Sequence, residues 1–207
     1  MDTSRRTLLG MAAMTPLAGT LLASKTRTTP AVDASAAARE RIHERYFPDI
    51  ILRNQDNKKF RFYEDVVKDR IVTINFFFSK CDGVCPRITA NLVKVQKLLG
   101  DRVGRDVFMN SITLKPEEDS PKVLKHFAEM YHVRPGWNFL TGKPADIELL
   151  RQHMGFTNPD PRLDKETEQH IGNVRYGNER LMLWAACPGM GDAKYIAESI
   201  GWVIRND

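Results

Sequence analysis

Cysteine is scarce in this chain, three in 207 residues, so each sulfur has to be accounted for singly. No basic stripe with interleaved aromatics runs along it. The net charge of +5 divides into +2 over the first 36 residues and +3 over the rest, mixed in sign throughout, which gives no argument for a nucleic-acid partner. There is no internal repeat. The one apolar run near the N-terminus is short and interrupted by Pro16, too little for a stable membrane-spanning helix. No cysteine follows that run closely, which argues against a lipid-modified N-terminus. What remains is the composition of an ordinary globular chain, long enough for one domain with appendages.

The N-terminal appendage has a recognisable grammar. Arg5-Arg6 precedes a small, apolar stretch from Gly10 to Ala23, a charged region followed by a hydrophobic one that matches a twin-arginine export signal. Lys25 to Ala38 is a Thr/Ala/Ser-rich spacer, and Ala34-Ser35-Ala36 offers small residues for cleavage. The expected division is an export signal and spacer over 1–36 and one folded domain over 37–207, placed in the periplasm. An uncleaved N-terminal membrane anchor is the alternative. An exported protein meets an oxidising compartment, where thiols can close as disulfides.

Two of the cysteines fall in the stretch around which the chain is organised. Ile71 to Phe78, β-branched and aromatic, predicts a strand buried on both faces. A short polar loop follows, and a helix is expected from about Cys85, with Pro86 in its first turn where a missing N–H costs nothing. Cys81 and Cys85 then sit at the carboxyl end of a strand, where open α/β sheets place their sites. Two cysteines four apart inside one helix would hold their Cβ atoms about 5–6 Å apart, too far for a disulfide. Cys81 is therefore expected in the loop, with Gly83 easing the turn, and Cys85 in the helix. The helix dipole and free N–H groups are expected to favour thiolate there. Such a pair can close as a disulfide or stay open and clamp one soft ion. A purely structural disulfide is the bland alternative, and so short a loop would gain little stability from it.

The rest of the chain reads as a helix over Ala36–Tyr46, a hairpin from Ile50–Leu52 and Phe60–Phe62, the Cys85 helix to about Gly100, and a strand over Val107–Leu114. A helix from Ser120-Pro121 to about His132 turns Leu124, Phe127 and Tyr131 inward. A strand over Trp137–Leu140 and a helix over Pro144–Met154 follow, then a polar loop from Thr157 to Gln169. Ile171–Tyr176 and Arg180–Ala185 predict a hairpin turning at Gly177-Asn178, and a last helix covers Asp192–Ile200. Strand–helix–strand units imply parallel pairing with right-handed crossovers. The expected fold class is α/β: a thioredoxin-like sandwich, a central mixed sheet with flanking helices, an N-terminal hairpin extension and a loop insertion before the closing hairpin.

Of the five histidines, His126, His132 and His153 belong to helices, where a solvated or packed side chain is the default. His170 stands where a polar loop meets a strand edge. Two cysteines and one histidine suit Cu(I), which accepts soft ligands and low coordination. A loop histidine bonding a nearby carbonyl is the alternative. Cys187, before Pro188-Gly189, reads as a buried small hydrophobe at the end of the last strand, or else as a resolving thiol.

From about Ile50 onward the chain resembles the SCO/SenC family of thioredoxin-like proteins. The resemblance rests on the strand leading into Cys81-x-x-x-Cys85-Pro86, on Ser111 through Pro121, on Trp137-Asn138-Phe139-Leu140-Thr141-Gly142, and on His170. It implies copper as Cu(I), with Cu(II) also admissible, held by Cys81, Cys85 and His170. It also implies service to the copper subunit of a respiratory oxidase, or to another periplasmic copper or thiol protein. The chain departs from the family pattern at Asp82, Lys115 and Gln169. Methionines are scattered, without the clusters of a second copper site. The competing activity is thiol–disulfide exchange by the Cys81/Cys85 pair, an enzymatic reading in place of a copper chaperone. A peroxide-reducing relative ranks last, because nothing marks a peroxidatic pocket.

Overall fold

The computed structural model describes residues 31–164 and 172–204, with side chains from residue 36. The arginine pair, the apolar run, Gln169 and His170 lie outside the described residues. Helix α1 spans Ala31–Tyr46 and is followed by strands β1 (Ile51–Asn54) and β2 (Lys59–Arg61). Then come β3 (Ile71–Phe77), α2 (Cys85–Leu99), β4 (Val107–Thr113), α3 (Pro121–Met130) and β5 (Trp137–Thr141). Next are α4 (Pro144–His153), the short α5 (Pro161–Asp164), β6 (Asn173–Asn178), β7 (Leu183–Pro188) and α6 (Ala193–Val203).

The strands make one mixed sheet in the order β2-β1-β5-β4-β3-β6-β7. β3, β4 and β5 run parallel, while β1 lies antiparallel to β2 and β5, and β6 antiparallel to β3 and β7. Two successive steps in the same direction, β3 to β4 and β4 to β5, put their right-handed crossover helices on one face. That face holds Phe77, Leu92, Met109, Phe127, Phe139, Ile196 and Ile200 in one apolar cluster with α2, α3 and α6. The opposite face packs Leu52, Phe62, Val72, Ile74, Phe76, Ile112 and Leu150 under α4 and the start of the domain. β3 supplies both clusters because its side chains alternate between faces, Val72, Ile74 and Phe76 one way and Phe77 the other. Helix α2 lays Ile88, Leu92, Val95 and Leu99 into the core, each fully buried aliphatic contributing about 1.5–3 kcal/mol.

The mixed thioredoxin-like sheet agrees with the sequence reading, and the differences are local. Gly177-Asn178 is not the closing turn. Both residues continue β6 alongside β3, and the chain reverses in a 3₁₀ turn over Glu179–Leu181, with Met182 in the left-handed region at φ 53°. Phe62 leaves β2 to open a π-helical turn over Phe62–Val67, whose entry is fixed by the Arg61 N–H donating to Asp65 Oδ2 at 2.7 Å. The polar stretch after Thr157 contains α5, drawn against α4 by the bidentate Arg151–Asp164 pair at 2.7 and 2.8 Å. Among the described residues, no helix is long and apolar enough to cross a membrane.

Candidate metal and thiol site

Strand β3 ends at Phe77, and the chain crosses the carboxyl edge of the sheet before entering α2 at Cys85, with Pro86 in the first turn. Cys81 lies in that loop and Cys85 on the helix, as the spacing requires. Both are buried, 4% and 1% exposed, in the same apolar cluster as Phe77, Phe78 and Ile88. The three cysteines of the chain are thiols. Cys81 is a close enough neighbour of Cys85 to act on its ionisation.

The expectation of a favoured thiolate at the helix N-terminus is not met. Burial pushes the Cys85 thiol well above its ordinary value. The neighbouring Cys81 adds to the rise, and the Phe78 backbone only partly opposes it. Desolvation outweighs the helix end here, so Cys85 keeps its proton at neutral pH. A soft cation would have to displace that proton, which makes metal loading and proton release one event.

Three side chains bear on the loop or on its sulfurs. Lys115 sets its ammonium 4.3 Å from the centroid of the Phe78 ring. It therefore brings a positive charge close to the loop, where two thiolates on a monovalent cation would carry net negative charge. Tyr131, half-buried just past α3 and 4.8 Å from the Phe127 ring centroid, has its phenol raised first by burial and then by the charges of Cys85 and Cys81. Asp119 is 1% exposed and takes hydrogen bonds from the N–H of Ser79 at 3.1 Å, from Ser79 Oγ and from Thr113 Oγ1. It ties the loop before Cys81 to the end of β4.

His170 lies outside the described residues, and the described chain resumes at Gly172. Gly172 N-terminal to β6 sits against the start of α2: a Cβ there would meet Ile88 Cδ1 at 2.8 Å and Val84 Cγ2 at 3.9 Å. Its carbonyl accepts from the Gly189 N–H at 2.8 Å. Asn91 of α2 donates to the carbonyls of Gly189 and Gly191 at 2.9 and 2.7 Å, so the same corner is pinned from the helix side. Among the described residues, no group of three histidine, cysteine or acidic side chains is placed to hold a metal, so His43, His126, His132 and His153 do not complete the pair. Cys187 is buried on β7, its thiol pushed up to about 11 by desolvation, with neither Cys81 nor Cys85 contributing. It packs as a core residue.

Tyr131 carries the signal of an inward-facing helical position in the sequence, and Asp119 falls inside the Ser111–Pro121 motif. Neither was legible as a neighbour of the cysteines, because the contacts join loops 40 or more residues apart.

Comparison with known proteins adds a family to this geometry. The SCO1/SenC family model matches residues 45–183, more than half of the chain. The chain belongs to the SCO1/SenC family. A SCO1 protein homolog of Bacillus subtilis (strain 168) is 36% identical over 97 residues, covering 46% of this chain and 49% of that protein. The chain thus spans about half the length of the curated relatives it matches. Among solved structures, a SCO1/SenC family lipoprotein from Bacillus anthracis str. Ames aligns with a TM-score of 0.64 at 25% identity, over 76% of this chain and 94% of that one. BsSco, described with a disulfide switch and as a member of the Sco family of cytochrome c oxidase assembly proteins, aligns at 0.61 and 24% identity, over 76% and 92%. Yeast Sco1 with copper bound aligns at 0.60 and 19%, over 76% and 91%. The last two likenesses speak for the fold.

Proposed function

We propose that this protein binds a single Cu(I) ion through Cys81, Cys85 and His170, and delivers it as a metallochaperone in the assembly of the copper centre of a respiratory oxidase. The observation that carries the reading is the pair of buried thiols in one apolar cluster at the carboxyl end of β3. At the same edge Gly172 packs against Val84 and Ile88. In the sequence His170 stands two residues before Gly172. Two thiolates and one imidazole suit a soft monovalent ion, and the apolar wall around the sulfurs suits a site that excludes water and competing hard cations. Family membership supports copper as the cargo, since a relative of the same fold is yeast Sco1 with copper bound. BsSco, from the same family, is described as an oxidase assembly protein, which supports the copper subunit of an oxidase as the recipient. The periplasm is the expected place of action, reached through the Arg5-Arg6 signal.

A second reading has its own observation. Two free thiols in one cluster, with three residues between them, suit dithiol–disulfide exchange, and BsSco is described with a disulfide switch. On that reading the pair reduces a disulfide of a partner protein, or of the oxidase copper-site cysteines, to two thiols and itself closes to the Cys81–Cys85 disulfide. Metal analysis of protein purified reduced and without oxygen separates the two. The copper reading expects a single copper per chain, lost in Cys81→Ser and in Cys85→Ser. Copper-free protein whose two thiols still exchange with a small disulfide would move the assignment to the oxidoreductase.

A further inference from the structure

The loop that delivers Cys81 is only seven residues long between Phe77 and Cys85, and its first half is held by one buried carboxylate. Asp119 Oδ2 accepts from the Ser79 N–H at 3.1 Å and from Thr113 Oγ1, while Oδ1 accepts from Ser79 Oγ. Thr113 Oγ1 in turn accepts from the Lys115 N–H at 3.0 Å. Asp119 is itself the last residue of a turn in which its N–H and that of Glu118 both donate to the Lys115 carbonyl, at 2.9 and 3.0 Å. One side chain therefore fixes the backbone two residues before Cys81, the end of β4, and the segment that carries Lys115 over Phe78. A second tie between the same loops, Lys80 to Glu118 at 3.4 Å, is exposed and adds little.

We propose that Asp119 is a positioning residue for the Cys81–Cys85 pair, clamping Ser79 to Thr113 so that the loop is held in its dithiol placement and the pair is biased against closing. The inference rests on reading the pair as an exchangeable dithiol. Its physical basis is geometric. A disulfide fixes both Cβ positions and a narrow torsion across the three intervening residues, so the backbone leading into Cys81 takes part in the closing equilibrium. A 1% exposed carboxylate anchored on Ser79 holds that backbone in place, because releasing it strands buried donors and a buried charge.

The test is the exchange equilibrium with glutathione. Protein dithiol and glutathione disulfide give protein disulfide and two glutathione thiols: the glutathione S–S bond breaks, the protein S–S bond forms, and the two protons pass to the released sulfurs. Asp119→Asn should displace the constant toward the protein disulfide by about tenfold, and the milder Ser79→Ala by about threefold, in line with the loss of charge-assisted hydrogen bonds. Lys80→Ala should leave it unchanged. Thermal unfolding of both redox forms supplies a readout that a merely structural clasp would not move. A clasp that only supports the fold lowers Tm equally in both forms and leaves the exchange constant alone. A positioning residue lowers Tm more in the dithiol form. Equal losses with an unchanged constant, or displacement toward the dithiol, overturn the proposal. Ser79→Ala removes one hydroxyl and keeps the test open if Asp119→Asn does not fold. Wild-type protein that fails to exchange at all removes the dithiol reading and this inference with it, whereas exchange with unshifted variants removes only the inference.

Discussion

Gly177 stands under the indole of Trp184, on the neighbouring strand. A Cβ there would come within 2.4 Å of Trp184 Cε3 and 2.7 Å of the Leu183 carbonyl oxygen. Gly177→Ala should therefore cost about 1–3 kcal/mol, read as a lower urea midpoint with an unchanged slope. Trimming the ring in Trp184→Leu should recover part of the loss in the double variant, because the two positions share one contact. The same residue shows where local chemistry misleads. Gly-Asn between two apolar runs is a strong hairpin signal. Here the glycine is demanded by a ring across the strand pair, a contact that no run of neighbouring residues displays. The cysteines were legible for the opposite reason. Their placement follows from the length of β3, the proline in the first turn of α2 and the reach of a helical spacing, all local quantities. The protonation of Cys85 was not legible, because the helix end is visible in the sequence and the burial that outweighs it is not.

Among the elements, α4 and α5 are joined by a group whose contribution can be followed with pH. Arg151, held also by Glu148, makes two hydrogen bonds to Asp164, and the Asn158 N–H adds a third at 2.6 Å. The Arg151 guanidinium, and after it that N–H, hold the Asp164 carboxyl down at about 2. A carboxyl whose folded value lies below its unfolded one stabilises the fold above about pH 4, and that stabilisation is lost as pH falls through about 2. Asp164→Asn should lower stability at pH 7 by about 1–2 kcal/mol, and the gap from wild type should close towards pH 2. A gap that stays constant over that range in urea titrations would take Asp164 out of the acid response. The long elements themselves were legible. A continuous buried β-branched and aromatic run marks β3 and period-three-to-four burial marks α2 and α3, with Ser120 capping α3 by accepting from the Val123 N–H at 3.4 Å. The π-helical turn after β2 was not, since Phe60-Arg61-Phe62 keeps the alternation of a strand and only the Asp65 carboxylate, four residues on, stops it.

At the scale of the whole molecule, the order of the elements made both the parallel strand–helix–strand units and the thioredoxin-like sandwich legible. The antiparallel seam between β1 and β5 and the docking of α1 depend on partners far apart in the chain. Arg39 of α1 reaches Glu179, a carboxylate 3% exposed, which also takes hydrogen bonds from Tyr63 Oη at 2.9 Å and the Asp69 N–H at 2.8 Å. Nothing in the spacing of those residues announces the cluster. The same holds for the site: Cys81 and Cys85 declare themselves, while His170, proposed as the third ligand, lies outside the described residues. That third ligand is the central claim, and a competition titration tests it most directly. Reduced wild-type protein and His170→Ala are titrated side by side against a Cu(I) chelator, with Cys85→Ser as the variant that cannot form the site. The account predicts tight binding of a single Cu(I) in the wild type, a weakening of at least about tenfold in His170→Ala, and none in Cys85→Ser. Equal affinities for wild type and His170→Ala would contradict it, removing the histidine from the site and leaving a dithiol whose work is exchange.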